Sequence, residues 1–304
     1  MQKVGNVIID DMFYSGTDEY SDGSIENELL EYVQKYEDEM QILRLDNRWP
    51  ILYHISPVRK NILEWYEFKR EAEVLEVGAG CGAVTGAICE RAKTVTGIDL
   101  SMKRSLINAY RNKRYNNLKI LVGNFNDIRL EQKYDYITLI GVLEYAAYYT
   151  PAENPFVEFL MKLKRALKEN GKLLVAIENK FGLKYWAGST EDHTGNYFDG
   201  IMGYTHTGAN VKTFSKDELV RIITKAGFSG CKFYYPFPDY KFAQQIFSDD
   251  YLPDKNEIVC SLDCFDNDRL RLFDETAAFK NIIEAGRFDF FANSYFIEIE
   301  NERR

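Results

Sequence analysis

The chain has 304 residues, 45% hydrophobic and 28% charged, with only 7 prolines. That composition excludes collagen-like repetition and wholesale disorder and allows one large domain or two modest ones. The net charge of −9 is concentrated at the start: residues 1–50 hold 12 acids against Lys3, Lys35, Arg44 and Arg48, a balance of 4 − 12 = −8. An acidic surface repels phosphate backbones, so a nucleic-acid partner is disfavoured. The opening MQKVGNVIIDDMFYSG lacks an apolar signal core, and the weakly charged run Tyr136 to Thr150 is interrupted by Glu144 and too short to span a bilayer. Cys81, Cys89, Cys231, Cys260 and Cys264 form neither a disulfide nor a zinc framework. The expectation is a soluble cytoplasmic protein with reduced thiols and no metal site.

In chain order, residues 1–23 are polar, turn-rich and aperiodic. Ile25, Leu29, Val33, Tyr36, Met40 and Leu43 then recur at helical steps, which predicts one helix with a buried face. Ser56-Pro57 reads as the start of a second helix with Val58, Ile62 and Trp65 on one side. Together, residues 1–70 read as an N-terminal helical cap without a core of its own.

From Val74 onward short apolar strands alternate with amphipathic helices. Strands are predicted at Val74–Val77, Val95–Ile98, Ile120–Val122, Tyr136–Ile140 and Leu173–Ile177, with helices at Val84–Arg91, Met102–Arg114 and Pro155–Lys168, the last capped by Asn170-Gly171. Uniformly apolar strands between helices predict a parallel sheet covered on both faces. The stretch Phe181–Thr213, with six glycines and two of the three histidines, breaks the rhythm and reads as a mobile binding loop. Ser215 and Glu218 form a capping box for a helix ending at Ala226-Gly227. A strand at Lys232–Tyr235, a helix near Asp268–Glu284 and a strand at Tyr295–Ile299 complete the chain, the two strands forming a terminal antiparallel pair. The division predicted is a cap over 1–70 and a core over 71–304, with insertions at about 181–213 and 241–290.

The chemistry is carried by Glu73-Val-Leu-Glu76-Val-Gly78-Ala79-Gly80-Cys-Gly82, an apolar strand running into a glycine-rich turn and then a helix. Glycines are required where backbone turns tightly and approaches a ligand closer than a Cβ permits. The next strand ends in Gly97-Ile98-Asp99-Leu100, placing a carboxylate where it can accept both hydroxyl protons of an adenosine ribose. A dinucleotide fold would need G-x-G-x-x-G. Here the spacing is G-x-G-x-G, and Glu76 would repel a pyrophosphate while suiting an ammonium and a sulfonium.

The E-x-G-x-G-x-G string at Glu76–Gly82, with Asp99, resembles the nucleotide loop of class I S-adenosylmethionine-dependent methyltransferases. That resemblance implies a Rossmann-like α/β fold, mostly parallel with a terminal antiparallel pair, and S-adenosylmethionine as cofactor. It implies cofactor contacts at Glu76, Gly78, Ala79, Gly80, Gly82, Asp99 and Leu100, adenine contacts from Asn124 and Phe125, and a methionine end lined by Gly141 and Leu143. Asn124 stands where relatives usually have Asp, and Tyr145 where many have His. Arg59 reads equally as a partner for the cofactor carboxylate or as a surface pair, and His54 as a structural histidine. His193, flanked by Glu191 and Asp192, is the expected base if the acceptor is a hydroxyl, with Tyr145 as a second candidate.

Strings such as Ile177-Glu-Asn-Lys-Phe-Gly-Leu-Lys-Tyr-Trp-Ala-Gly188 and Tyr234-Tyr-Pro-Phe-Pro-Asp-Tyr240 resemble methyltransferases of bacterial surface-polysaccharide clusters, which implies a small-molecule or glycan-linked acceptor. Two rivals are a catalytically inactive cofactor-binding scaffold, which would keep the glycines and Asp99 but enclose no acceptor, and an NAD-dependent oxidoreductase, which the glycine spacing opposes.

Overall fold

The structure is a computed structural model and describes residues 1–302 apart from 19, 131, 209, 259–268 and 270. Its strands are β1 (Gln2–Val4), β2 (Val7–Phe13), β3 (Glu73–Val77), β4 (Thr94–Asp99), β5 (Leu118–Gly123), β6 (Tyr134–Ile140), β7 (Leu167–Glu178), β8 (Gly230–Phe237), β9 (Gln245–Ser248) and β10 (Ser294–Glu300). The chain divides into two compact units, Met1–Leu139 with Arg165–Lys172, and Ile140–Lys164 with Leu173–Arg304.

In the first unit the strand order is β1-β2-β5-β4-β3-β6. All neighbours from β2 to β6 are parallel, and β1 returns antiparallel on β2. Val74, Leu75, Ile120 and Ile137 are fully buried, as strands covered on both faces require. The chain steps from β3 outward to β4 and β5, then pairs β6 with the other side of β3. The order therefore reverses at β3, and the crevice beyond its C-terminal end is the ligand-binding position of such sheets.

The five strands predicted here and at β7 all form, each extended by one or more residues. The N-terminal segment differs. Residues 2–13 are not aperiodic: they build β1 and β2, and Asp10, an acid in the middle of a strand, is matched by Lys119 of β5 at 2.9 Å. The single helix predicted from Ile25 breaks into Ile25–Lys35 and Glu39–Leu45, because Tyr36 is extended and Asp38 accepts a bond from Met40 N to start a new helix. A further helix occupies Trp49–Ile55, and Ser56 caps the turn Pro57–Lys60. Leu29, Val33, Ile42, Ile51 and Ile55 share a core with Cys81 and Ile107, so these helices, expected to lack a core of their own, pack within the first unit.

Deleting residues 1–13 is accordingly expected to destabilise the protein. It removes Val7 and Ile9, both fully buried, and two such side chains contribute roughly 3–6 kcal/mol. A urea titration showing an unchanged midpoint would contradict this.

In the second unit the order is β7-β10-β8-β9, with β10 antiparallel to β8 and β8 to β9. The predicted terminal antiparallel pair is thus present, and β9 is an addition. The helix before β7 ends at Ala166, not at Asn170-Gly171, and Asn170 takes φ +59° within the strand. The capping box forms, with reciprocal bonds between Ser215 and Glu218 at the start of Lys216–Lys225. The helix expected near Asp268–Glu284 is Glu275–Glu284, capped by Asp274; Asp268, Cys260 and Cys264 lie outside the described residues. The loop 181–213 contains one helical turn, Leu183–Trp186. Within it Tyr185, Glu191, Asp199 and Tyr204 are buried, and the Tyr204 hydroxyl accepts a bond from Thr213 N at 2.9 Å, while residues 195–198 and 205–208 are exposed.

Candidate active site

In the first unit β3 ends in the turn Gly78-Ala79-Gly80-Cys81-Gly82, in which all three glycines take positive φ: +73°, +50° and +77°. Their reasons differ. A Cβ on Gly82 would lie 2.6 Å from buried Asn108 Oδ1, so this glycine lets the helix Met102–Arg111 pack against the turn. The atoms nearest to a Cβ on Gly80 are those of the Arg104 guanidinium, the first at 3.2 Å. The nearest neighbour on that face of the turn is thus a side-chain end and not backbone.

Asp99, the last residue of β4, ties the turn down. Its Oδ2 accepts from Gly80 N at 2.7 Å and its Oδ1 from Ser101 N at 3.0 Å. Glu76 lies deeper, accepting from Thr85 Oγ1 at 2.7 Å, while Asn108 donates to Thr85 in turn. Burial pushes the Glu76 carboxyl from its ordinary 4.5 to about 8; Thr85 opposes this and the charge of Asp99 adds to it. Burial also raises Asp99, against Arg104 and the two backbone donors. Two buried acids, both shifted toward neutrality, gain most from a cationic ligand. The donor set thus fits a nucleoside bearing ammonium and sulfonium groups.

Arg104 was not singled out by the sequence. Its guanidinium lies 4.8 Å over the Tyr20 ring and 3.8 Å from Asp22, and Asp18 caps the same helix by accepting from Met102 N at 2.7 Å. Nothing local in the sequence marks this arrangement, because its partners are more than 80 residues away. The other predicted residues of the unit have separate surroundings. Asn124 Oδ1 accepts from Asn126 N at 2.9 Å in a turn after β5, and Phe125 is buried. Leu100 is half-buried at the strand end. Arg59 is buried with its guanidinium 4.4 Å over the Tyr53 ring, and His54 is ion-paired with Asp22 at 2.9 Å.

The second unit holds a different cluster. His193 Nδ1 lies 3.0 Å from Glu191 Oε1, and its Nε2 lies 3.7 Å from Glu144 Oε1. Tyr145 meets the His193 ring edge-on with centroids 5.3 Å apart. Gly141 takes φ +68°, and a Cβ there would lie 2.7 Å from the Tyr240 hydroxyl and 3.6 Å from Glu144. Leu143 is buried in the same turn. Asp192 pairs with Lys184 at 2.8 Å and Lys241 at 2.6 Å, and Lys241 also reaches Glu178 Oε1 at 2.9 Å.

Burial disfavours a charged His193, but Glu144 and Glu191 outweigh it and hold the ring well above the ordinary histidine range. A ring with carboxylates at both nitrogens carries its second proton at neutral pH. That arrangement opposes the general-base role expected for His193. The sequence contained no ligand spacing, yet the fold gathers Glu144, Glu178 and His193 so that one potential ligand atom from each lies within 4.8 Å of the others.

Fold and turn together define an α/β nucleoside-cofactor-binding protein. Residues 75–173 match the family model of a methyltransferase domain. The chain is 31% identical over 84 residues to the ribosomal RNA small subunit methyltransferase A of Syntrophus aciditrophicus, covering 28% of each chain. It is 25% identical over 142 residues to the ubiquinone biosynthesis O-methyltransferase of Pelagibacter ubique, covering 42% of this chain and 56% of that one. The matches thus span less than two thirds of these relatives. Among solved structures, N-methyltransferase NodS from Bradyrhizobium japonicum superposes with a TM-score of 0.47 at 12% identity, covering 82% of this chain and 98% of that one. Among the described residues no helix is long and apolar enough to cross a membrane.

Proposed function

We propose that the chain is an S-adenosylmethionine-dependent methyltransferase acting on a small-molecule or glycan-linked acceptor in the cytoplasm. The observation that carries the reading is the buried pair Glu76 and Asp99 beside the turn whose Gly78, Gly80 and Gly82 all take positive φ. The methyltransferase domain match over residues 75–173 supports it. When bound, the cofactor would supply an electrophilic sulfonium methyl for in-line attack by an acceptor lone pair, with the thioether as the group that leaves carrying the C–S bonding pair.

The chain's own part is binding and alignment. Asp99 holds the ribose hydroxyls, the Gly78–Gly82 turn gives close backbone approach, and Glu76 faces the cationic end. Arg59, Ala79, Leu100, Asn124 and Phe125 complete the proposed cofactor contacts. His193 and Tyr145 are the residues at which we place acceptor chemistry. The strings around Ile177–Gly188 and Tyr234–Tyr240 favour an acceptor from surface-polysaccharide synthesis; the relative named as a ribosomal RNA methyltransferase leaves a nucleic-acid acceptor as the competing outcome.

Calorimetry with S-adenosylmethionine tests the reading through its pH dependence. Free Glu76 is protonated below about 8, and a cation stabilises its ionised form. Binding below that pH therefore releases a proton, and affinity weakens as the pH falls from about 8 toward 6. Glu76→Gln should flatten that dependence. Binding of NADH in preference to S-adenosylmethionine would overturn the assignment.

A further inference from the structure

We propose that Glu144, Glu178 and His193 form a binding site for a divalent first-row transition-metal ion. The residues come from three places in the second unit: the turn Leu143–Tyr145, the last position of β7, and the loop that follows. Their ligand atoms lie within 4.8 Å of one another, and His193 Nε2 stands 3.7 Å from Glu144 Oε1. Donors about 2.0–2.2 Å from a common ion lie roughly 3–4.4 Å apart, so one ion can reach all three with little adjustment. At 3.7 Å the imidazole and carboxylate are too far apart for a good hydrogen bond, which is the spacing of two ligands flanking an ion.

A second observation points to a ligand independently. Glu144 Oε2 and Glu178 Oε2 are both buried without a hydrogen-bond partner, in side chains 1% and 0% exposed. A buried carboxylate oxygen without a donor is strongly unfavourable unless a cation supplies the missing interaction.

The surroundings are built for ligation. Glu191 Oε1 lies against His193 Nδ1 at 3.0 Å, while Glu191 Oε2 accepts from His193 N at 2.8 Å and Thr194 N at 2.7 Å. The Tyr204 hydroxyl adds a bond to the same carboxylate at 3.2 Å. A fixed carboxylate on one ring nitrogen sets the tautomer that leaves the other free to ligate, the outer-sphere pattern of metal-bound histidines. The charges agree. Among the described residues Glu178, Asp192 and Asp239 face Lys184 and Lys241, and Glu144 and Glu191 flank His193, a balance of 2 − 5 = −3 with a neutral imidazole, which a divalent ion brings to −1. One imidazole and two carboxylates select manganese, iron or zinc over magnesium and calcium. On the methyltransferase reading, upon which this clause alone rests, the ion would hold an acceptor oxygen and ease its deprotonation.

The test is calorimetric titration of the full chain, stripped with a chelator, with manganese chloride and with zinc chloride, magnesium chloride serving as the control. One site per chain is expected for manganese or zinc. Glu178→Gln and His193→Ala should each lose it, and Glu191→Gln should weaken it roughly 10- to 100-fold. Circular dichroism and thermal unfolding establish which variants are folded; Glu191→Gln, which keeps the ligand set, serves if either ligand variant is not. No saturable binding to the folded wild type, or binding unaltered by the substitutions, overturns the site. Because the ion is titrated without cofactor or acceptor, this result is independent of a failure to bind S-adenosylmethionine, which would instead overturn the proposed function.

Discussion

Asp99→Ala is expected to weaken S-adenosylhomocysteine binding by roughly 10- to 100-fold, the ~1.5–3 kcal/mol that hydrogen bonds to a charged acceptor contribute. The carboxylate already accepts from Gly80 N and Ser101 N, one on each oxygen, so each oxygen keeps a lone pair for a ribose hydroxyl. Alanine therefore removes ribose acceptors and also releases the Gly80 turn that must approach the ligand. Asp99→Asn separates the two effects, since its single carbonyl oxygen retains part of the anchoring but none of the charge. Calorimetry on both variants, with thermal unfolding as the control for the turn, gives the measurement. An Asp99→Ala protein that is folded and binds S-adenosylhomocysteine as tightly as the wild type would remove Asp99 from the cofactor site.

How much of this was legible in advance follows from how local each determinant is. The strands β3 to β7 are marked by short, mostly apolar runs between helices, and the glycine turn by its own spacing. The capping box at Ser215 and Glu218 spans three residues and closes as read. By contrast β2 reads VIIDDMF, and its acids argue against a buried strand until Lys119 is known to stand beside Asp10. The break at Tyr36 was hidden because the apolar steps run through it without a change of period. Arg104 and its acidic partners depend on contacts between distant segments, as does the grouping of Glu144, Glu178 and His193. The cofactor turn is a local feature and was legible; the acceptor-side cluster is a tertiary one and was not.

His193→Ala is expected to lower turnover by roughly 10- to 100-fold, the range for losing a residue that holds a functional carboxylate in place, while S-adenosylhomocysteine affinity stays unchanged. The ring is nearly buried between Glu191 and Glu144 and meets Tyr145 edge-on, so every arrangement of these side chains depends on it. The expectation does not require His193 itself to take the proton. With carboxylates at both nitrogens, the ring sets the orientation and charge of Glu144, and alanine leaves that buried acid without its cationic neighbour. Tyr145→Phe keeps the edge-on contact and loses only a hydroxyl, so a fall of under about tenfold is expected there if Tyr145 serves as pocket wall. Affinity should hold in both variants because neither His193 nor Tyr145 is among the proposed cofactor contacts. Single-turnover rates with saturating cofactor separate the two quantities. Turnover insensitive to His193→Ala would move acceptor chemistry away from this cluster. A parallel loss of cofactor affinity would show that the cluster acts through the cofactor site and not on the acceptor.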